Sequence, residues 1–416
     1  YNFGIIIIRS IMFGGNCKLK PFYDVIVVGG GPVGSTAARV AARNGVSVLL
    51  VEGEHLSNKK VKCAGLISLR ALEVSGIKNQ DFVIKKRIKG AFINTPSGRR
   101  IELDGGDVKA VVIDRRKFDE ALLREAEEAG VEVRSGCRAV ALEGNRLVLR
   151  DNGGEEAVRA KVIVGADGPR SSVAKWAGLP SPKKMLTALQ VIVKHEPERE
   201  DYVEVYLGRD VAPNFFAWCV PDADGMARVG LATDNPKSIK SLLERLLNNR
   251  FSNKCKEMVS GLIPIGVSPK TYTDNVLIAG DAAGQVKPTS GGGIYTGITC
   301  GRIAGEVASK CVISGEVSSK TLSEYERRWR SLLYRELFFG FQVHQLLTRL
   351  NDRDIDRILR VFDSPEILRL FTEYGDIDYP SRLARELFKR PYIWTKLLSV
   401  IPAREILISL FKLIFG

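Results

Sequence analysis

YDVIVVGGGPVGSTAARVAARNGVSVLLVE, residues 23–52, decides how the rest of the chain is read. Val25–Val28 is a short apolar, β-branched run of the kind that makes a buried strand. Gly29, Gly31 and Gly34 follow at G-x-G-x-x-G spacing, with Val33 inside the same turn, and Ser35–Asn44 carries an Ala-rich helical pattern. Gly45 stops that helix, Val46–Val51 reads as a second strand, and Glu52 stands at its end. Strand, glycine turn, helix, strand and acid together form a β-α-β dinucleotide-binding fingerprint. The glycines let the backbone approach a diphosphate, whose charge is met by N–H groups and the positive end of the helix. Glu52 then offers a carboxylate to ribose hydroxyls.

With 416 residues, 45% hydrophobic and 26% charged, the chain can bury a large core in two or three structural units and is not a disordered one. A net charge of +14 without a nucleic-acid motif fits an anionic membrane surface or phosphate-bearing ligands better than DNA; a basic, well-solvated surface is the alternative. The seven cysteines are scattered and form no C-x-x-C pair, which points to reduced thiols in a cytoplasmic setting and away from zinc ribbons and iron–sulfur cradles. None of the three histidines is spaced as a ligand beside a second, so no metal is expected. No stretch reaches the ~20 apolar residues that span a bilayer. Residues 1–21 read as a leader or upstream extension: either residues 1–11 precede the natural start at Met12, or they form a short tail that touches a membrane.

Farther along, the basic loop HLSNKKVKCAGLIS (55–68) precedes a helix at Leu69–Gly76. Arg87–Asn94 and Arg99–Leu103 look like a hairpin, the first piece of a second layer. In RRKFDEALLREAEEAGVEV (115–133), Phe118, Leu122, Leu123 and Ala126 share one helical face and Gly130 caps it. Strand character resumes at Val131–Val133, Val140–Leu142 and Lys161–Gly168. Alternating strands at Thr187–Lys194, Tyr202–Leu207, Phe215–Val220 and Ala227–Ala232, then a helix near Pro236–Asn248, mark a β-rich insertion suited to floor a ligand pocket. The expected organisation is α/β: residues 22–185 plus 265–316 as a Rossmann-like cofactor-binding domain, with 87–105 joining a β-sheet substrate domain over 186–264, then a helical region over 317–416.

Three separated segments resemble one set. The fingerprint with Glu52, GADGPRSSVA (165–174) and AGDAAGQVKPTSGGG (279–293) are similar to the FAD-binding motifs of the aromatic-hydroxylase-like flavoprotein superfamily. The resemblance implies that Asp167-Gly168 buttresses the cofactor region and that Asp281 meets the ribityl and ribose hydroxyls. It further implies that Gly291, Gly292, Gly293 and Ile294 lie against the flavin and its diphosphate. IDRRKFD (113–119) resembles the superfamily's R-x-x-F-D element, which implies that Arg115 contacts the cofactor, and Ala139 would supply backbone contacts near the adenine. Arg116 and Lys117 read as solvated charges.

A narrower likeness lies inside it. Lys62-Cys63-Ala64-Gly65-Leu66 is similar to the cysteine loop of the geranylgeranyl reductase family, and Pro213–Pro221 resembles its P-x-x-Y-x-W-x-F-P strand, with Phe216 in place of Tyr and Val220 in place of Phe. The stretch from Leu370 to Pro391 is close to archaeal members. The resemblance implies an FAD-dependent enzyme hydrogenating isoprenoid double bonds of digeranylgeranylglycerophospholipids, fed by an external electron donor (ferredoxin, NADPH or another reductant). It would sit in the cytoplasm, peripheral on the inner face of the membrane.

An isolated trisubstituted alkene is a poor hydride acceptor, so protonating one carbon must develop cationic character on the other. Such a site needs a dry apolar channel and aromatic faces, for which Phe216, Trp218 and Tyr295 are the expected lining. Strand alternation puts Phe216 and Trp218 on one side. Phe216 lacks the hydroxyl of the family pattern, so it has no proton to relay. Cys63 either packs beside the flavin or belongs to the proton path. The tail from Pro391 to Gly416, with Trp394, reads either as an interfacial helix or as one packed on the body. Rival readings are an FAD-dependent aromatic-ring monooxygenase, which leaves the cysteine loop and the Trp218 strand without a use, and a membrane electron carrier with a C-terminal iron–sulfur cluster. No cysteine follows Cys311 to build that cluster. A flavin-containing lipid-tethering protein is the non-enzymatic reading.

Overall fold

Val25–Val28 pairs in parallel with Val48–Val51 on one side and with Val162–Gly165 on the other. A strand flanked on both edges and covered on both faces has no polar side, which is why these runs are continuously apolar. The computed structural model describes residues 19–55, 62–251 and 255–400. The expectations for residues 1–18, for the Trp394 side chain and for the tail beyond residue 400 lie outside the described residues.

The first sheet runs, in spatial order, Glu132–Ser135, Val48–Glu52, Phe22–Val28, Gly154–Gly165, Arg146–Asp151 and Arg138–Glu143, and Val276–Ile278 adds in parallel to Gly154–Gly165. Its helices, in chain order, begin with α1 (Pro32–Arg43), which opens with Pro32 behind Gly31, where a missing N–H costs nothing. Next come α2 (Leu69–Ser75), capped by the Ser68 hydroxyl, and α3 (Arg115–Glu128), capped by the Asp114 carboxylate on the N–H groups of Arg116 and Lys117. The α3 face of Phe118, Leu122, Leu123 and Ala126 is buried, each large side chain contributing about 1.5–3 kcal/mol. Then follow α4 (Ser172–Trp176) and the long α6 (Ile294–Ser314), whereas α5 (Ile239–Arg250), between them in the chain, packs instead on the strands Lys184–Lys194 and Met226–Thr233 of a second sheet.

Helix α6 lies directly on α1. Gly297, Gly301 and Gly305, four apart, strip one face of side chains. A Cβ on Gly301 would come within 2.5 Å of the Val33 carbonyl oxygen, and one on Gly305 within 2.4 Å of the Ala37 oxygen. The two backbones therefore meet almost without intervening side chains, and the N-termini of both helices converge on the glycine turn.

A second sheet of seven strands runs Cys255–Ile265, Lys184–Lys194, Met226–Thr233, Ala217–Pro221, Tyr202–Tyr206, Gly90–Asn94 and Arg100–Asp104. The hairpin expected from Arg87 begins instead at Gly90. Arg87 and Ile88 belong to Ile84–Ile88, which pairs with Ala110–Ile113 in a separate three-stranded sheet. The chain changes sheets at Lys89, whose N–H donates to the Asp201 carbonyl, and a Cβ on Gly90 would sit 2.5 Å from the Tyr202 ring. The strand expected from Phe215 starts at Ala217, because Asn214 takes a positive φ of 63° and turns the chain just before it.

After α6, Ser319–Trp329 and Arg335–Arg349 join through a π-helical turn over Arg330–Tyr334. The remaining helices, Asp352–Phe362, Pro365–Tyr374, Ser381–Phe388 and Pro391–Val400, close around their own apolar cluster of Phe339, Ile367, Leu370, Leu387 and Ile393.

Candidate active site

The glycine turn is packed on one side and open on the other. A Cβ on Gly34 would fall 1.8 Å from the Gly29 oxygen, and one on Gly29, which has φ +108°, 2.3 Å from the Ala166 oxygen. At Gly31 no atom stands within 4 Å of such a Cβ, and Gly31 caps α1 with no side chain over the helix end. Space, N–H groups and the positive helix end therefore coincide where a diphosphate would lie. Glu52 holds this turn as well as closing the second strand: Oε2 accepts the Gly30 N–H at 2.9 Å and Oε1 the Glu54 N–H at 3.0 Å. Ala139 stands at the same edge, on a strand whose approach is tied by the Cys137 N–H to the Glu52 carbonyl.

Asp167 serves the turn from behind. Its carboxylate accepts the Ser171 hydroxyl at 2.6 Å and the N–H groups of Ser172 and Val173, fastening α4, while its neighbour Ala166 backs Gly29.

Asp281 and Gly293 meet across the third motif, with Oδ1 3.1 Å from where a Gly293 Cβ would lie. Burial pushes the Asp281 carboxyl up to about 6 against the pull of Arg115, and no hydrogen bond holds it among the described residues. Val33 fills the space between Gly280 and Gly297, so the first and third motifs touch. Arg115 forks onto Asp119 at 3.0 and 3.2 Å. Burial opposes its charge, but Asp119 and the Cys63 sulfur together raise its affinity for the proton. Thus Cys63, Arg115 and Asp281 form one neighbourhood, although 52 and 166 residues separate the first two and the last two in sequence. An open cradle at a helix end, a half-buried carboxylate, and a guanidinium beside it fit the diphosphate and polyhydroxyl chain of FAD.

Cys63 is half-buried and accepts the Gly65 N–H at 3.3 Å. Its loop is pinned by a residue that sequence reasoning missed. Arg228, buried on the second sheet, donates Nη1 to the Ala64 carbonyl at 2.7 Å and Nε to Asp222 at 2.8 Å, and Lys85 reaches Asp222 at 2.9 Å. Gly65 has φ +75°, and a Cβ there would lie 2.2 Å from Arg228 Nη1. A cavity of about 160 Å³ opens here between Cys63, Arg115, exposed Arg116, Gln190 and Arg228. A hollow of about 190 Å³ elsewhere, between Phe82 and α3, touches none of the glycine motifs.

Farther along the same sheet the side chains become aromatic. Phe215 stacks on Phe216 at 4.3 Å, and Phe216 meets Trp218 edge-on at 6.0 Å, so Phe216 and Trp218 share a side. The Trp218 indole N–H donates to Gln190 at 3.0 Å. Phe215, Trp218, Ile263 and Phe341 form an apolar group reaching the glycine loop, since a Cβ on Gly291 would sit 3.0 Å from Ile263 and 3.6 Å from Phe215. His344, 6.1 Å behind Phe215, has its imidazole pushed down to about 4 by burial and by Lys184, with Asp234 opposing.

Tyr295 is placed elsewhere. It packs in the core of the cofactor half, its hydroxyl 2.7 Å from that of Tyr379. On the far face of the second sheet, His195, Glu204 and Cys219 bring possible metal-ligating atoms within 4.8 Å of one another. Cross-strand register pairs Glu204 with Cys219, which spacing along the chain cannot reveal. Tyr206 already donates to Glu204, and burial first, then Glu204, holds the Cys219 thiol protonated.

An FAD binding domain family matches residues 22–256. The digeranylgeranylglycerophospholipid reductase of Methanocaldococcus jannaschii is 34% identical over 82% of this chain and 90% of its own length. A digeranylgeranylglycerophospholipid reductase 2 from Methanothermobacter thermautotrophicus is likewise 34% identical, over 87% and 98%. Among solved structures, a geranylgeranyl bacteriochlorophyll reductase-like protein from Thermoplasma acidophilum superposes with a TM-score of 0.77 at 29% identity, covering 88% of this chain and 99% of that one. A p-nitrophenol 4-monooxygenase from Pseudomonas putida superposes at 0.65 with 17% identity, covering 88% and 99%, and shares the fold alone.

Proposed function

The chain belongs to the FAD-binding digeranylgeranylglycerophospholipid reductase family, and from that premise we propose that it hydrogenates isoprenoid carbon–carbon double bonds of archaeal glycerophospholipids. The observation that carries this reading is the aromatic and aliphatic lining of Phe215, Trp218, Ile263 and Phe341, which runs up to the Gly291–Gly293 loop. An aromatic hydroxylase would need polar groups to orient a small ring there, whereas a long hydrocarbon chain asks for apolar contact.

Gly29, Gly31, Val33 and Gly34 would hold the diphosphate of FAD, Glu52 and Asp281 its hydroxyls, and Gly292, Gly293 and Ile294 its ring. Bound and reduced, FAD supplies hydride. The chain's own residues do the rest. Phe215, Phe216 and Trp218 exclude water and turn π-faces toward the charge that develops on the tertiary carbon. Gln190 fixes the indole plane through its hydrogen bond. Cys63 presents a sulfur beside Arg115 at the mouth of this region, positioned to contact the cofactor or to hold a proton at Sγ, while Arg228 keeps its loop in place.

Electrons come from an external reductant, and the protein works at the inner face of the membrane as a peripheral one. No helix among the described residues is long and apolar enough to cross a membrane. The test is to incubate dithionite-reduced protein with digeranylgeranylglyceryl phospholipid and follow the lipid by mass spectrometry. Stepwise gain of one H₂ per double bond is expected; unchanged lipid with a flavin reoxidised only by oxygen refutes the proposal.

A further inference from the structure

The Leu370–Pro391 stretch has no part in the reaction described above, yet its turn reaches into the cofactor half. Asp378, its carboxylate fully buried, accepts Lys287 Nζ at 2.7 Å and Arg70 Nη1 at 3.1 Å. Asp376 takes the Arg70 fork at 3.1 Å on both oxygens, and Oδ1 also accepts the N–H groups of Asp378 and Tyr379, so the turn is braced from within. Lys287 donates a second bond to the Ile377 carbonyl at 3.1 Å.

Lys287 is the root of the glycine loop. Its carbonyl accepts the N–H groups of Gly291 and Ser290, at 2.9 and 3.3 Å, and its own N–H donates to the Gly292 carbonyl at 3.1 Å. Its Cε lies 3.1 Å from where a Gly292 Cβ would be. The other end of the loop is held as well. Tyr295, the second residue of α6, is bonded to Tyr379, and the Arg70 guanidinium lies over both rings, 5.7 and 4.9 Å from their centres. Two cations from the cofactor half thus meet two carboxylates on one turn of the C-terminal region.

We propose that residues 376–379 are a clip on the 287–295 loop, with Asp378 and Lys287 as positioning residues that hold Gly291–Gly293 in the shape that receives FAD. The inference rests on the reading that FAD lies against this loop. Buried ion pairs suit such a task, because they tolerate one register only and removing one partner leaves an unpaired buried charge.

The test uses full-length holoenzyme of the wild type, Lys287→Met, Asp378→Leu and the double variant, and reads FAD release on dilution together with the visible flavin bands. Turnover is measured beside them, and a loop displaced by about 1 Å should lower it by roughly 10²-fold. Each single variant is expected to release FAD faster and to shift the bands, with the losses in the double variant clearly less than additive, since the Lys287–Asp378 pair is lost in both while Arg70 and the Ile377 carbonyl are partners of one only. Unaltered release and bands in the singles, or losses that add in the double, overturn the clip. If Asp378→Leu does not fold, Tyr379→Phe removes only a hydroxyl bond. A band shift there supports the clip, and unaltered bands and release count against it. A wild type that retains no FAD defeats the underlying reading; a yellow wild type with unaffected variants defeats the clip alone.

Discussion

Replacing Gly301 by Ala sets two effects of known sign against each other. In a helix interior Ala is favoured over Gly by about 1 kcal/mol. Against this, the new Cβ would stand 2.5 Å from the Val33 carbonyl oxygen, a backbone atom that cannot rotate aside. An ordinary carbon–oxygen contact needs about 3.3 Å, so α6 must withdraw from α1 by roughly 0.8 Å. Overpacking of this kind costs about 1–3 kcal/mol, so the clash outweighs the propensity gain in most of that range. The net loss, up to about 2 kcal/mol, should lower the melting temperature of a chain this long by about 1–2 °C. Because Val33 lies in the first turn of α1 and Gly293 caps α6, the same withdrawal separates the two helix ends at the glycine motifs, and FAD should be released faster. At Gly297 the obstacle is a methyl of Val33, 2.7 Å away, which can turn. Gly297→Ala should therefore be milder. Thermal melting of the holoenzyme, followed by flavin fluorescence, reads both quantities. A Gly301→Ala protein that melts with the wild type and keeps its FAD, or a Gly297→Ala protein that is the worse of the two, would refute the reasoning.

Cys63→Ala should leave FAD bound but slow substrate-dependent reoxidation in stopped-flow absorbance; unchanged turnover removes Cys63 from the mechanism. Arg228→Met strips Asp222 of its buried partner and unpins Ala64, and should cost about 3–5 kcal/mol in the urea midpoint; an unmoved midpoint would show that Lys85 alone suffices for Asp222. His344 binds its proton less readily folded, near 4, than unfolded, near 6.5. Its contribution to stability is present above pH 6.5 and is lost as pH falls towards 4, amounting to about 3 kcal/mol. His344→Leu should flatten that acid slope in denaturant titrations between pH 4 and 8; a slope as steep as the wild type's would assign the acid loss to other groups.

The cofactor half was legible because its signals are local. Glycine spacing, an apolar run and a terminal acid all fall within thirty-odd residues, and the structure builds parallel strands and a helix there with ends shifted by a few residues. The sheet change at Lys89 was hidden, since Arg87–Asn94 alternates well enough for a single strand and only the distant Tyr202 forbids it. Phe216 and Trp218 were placed on one side from alternation, although the strand itself begins one residue after Phe216. Arg228 and the Asp376–Asp378 turn carry no motif. Their partners lie 164 and 306 residues away in sequence, and only folding shows that the charges meet. Tyr295, expected with Phe216 and Trp218 as aromatic lining, is the second residue of α6 and packs in the core of the cofactor half.

The intimate seating of α6 on α1 also bears on how the chain is made. Asn44 at the end of α1 bonds Ser309 of α6, 265 residues later. During synthesis the first helix leaves the ribosome long before its glycine-faced partner exists, and Val276–Ile278 reaches its sheet almost as late. The earlier half must wait with an apolar flank uncovered, so contacts of very long loop length govern closure.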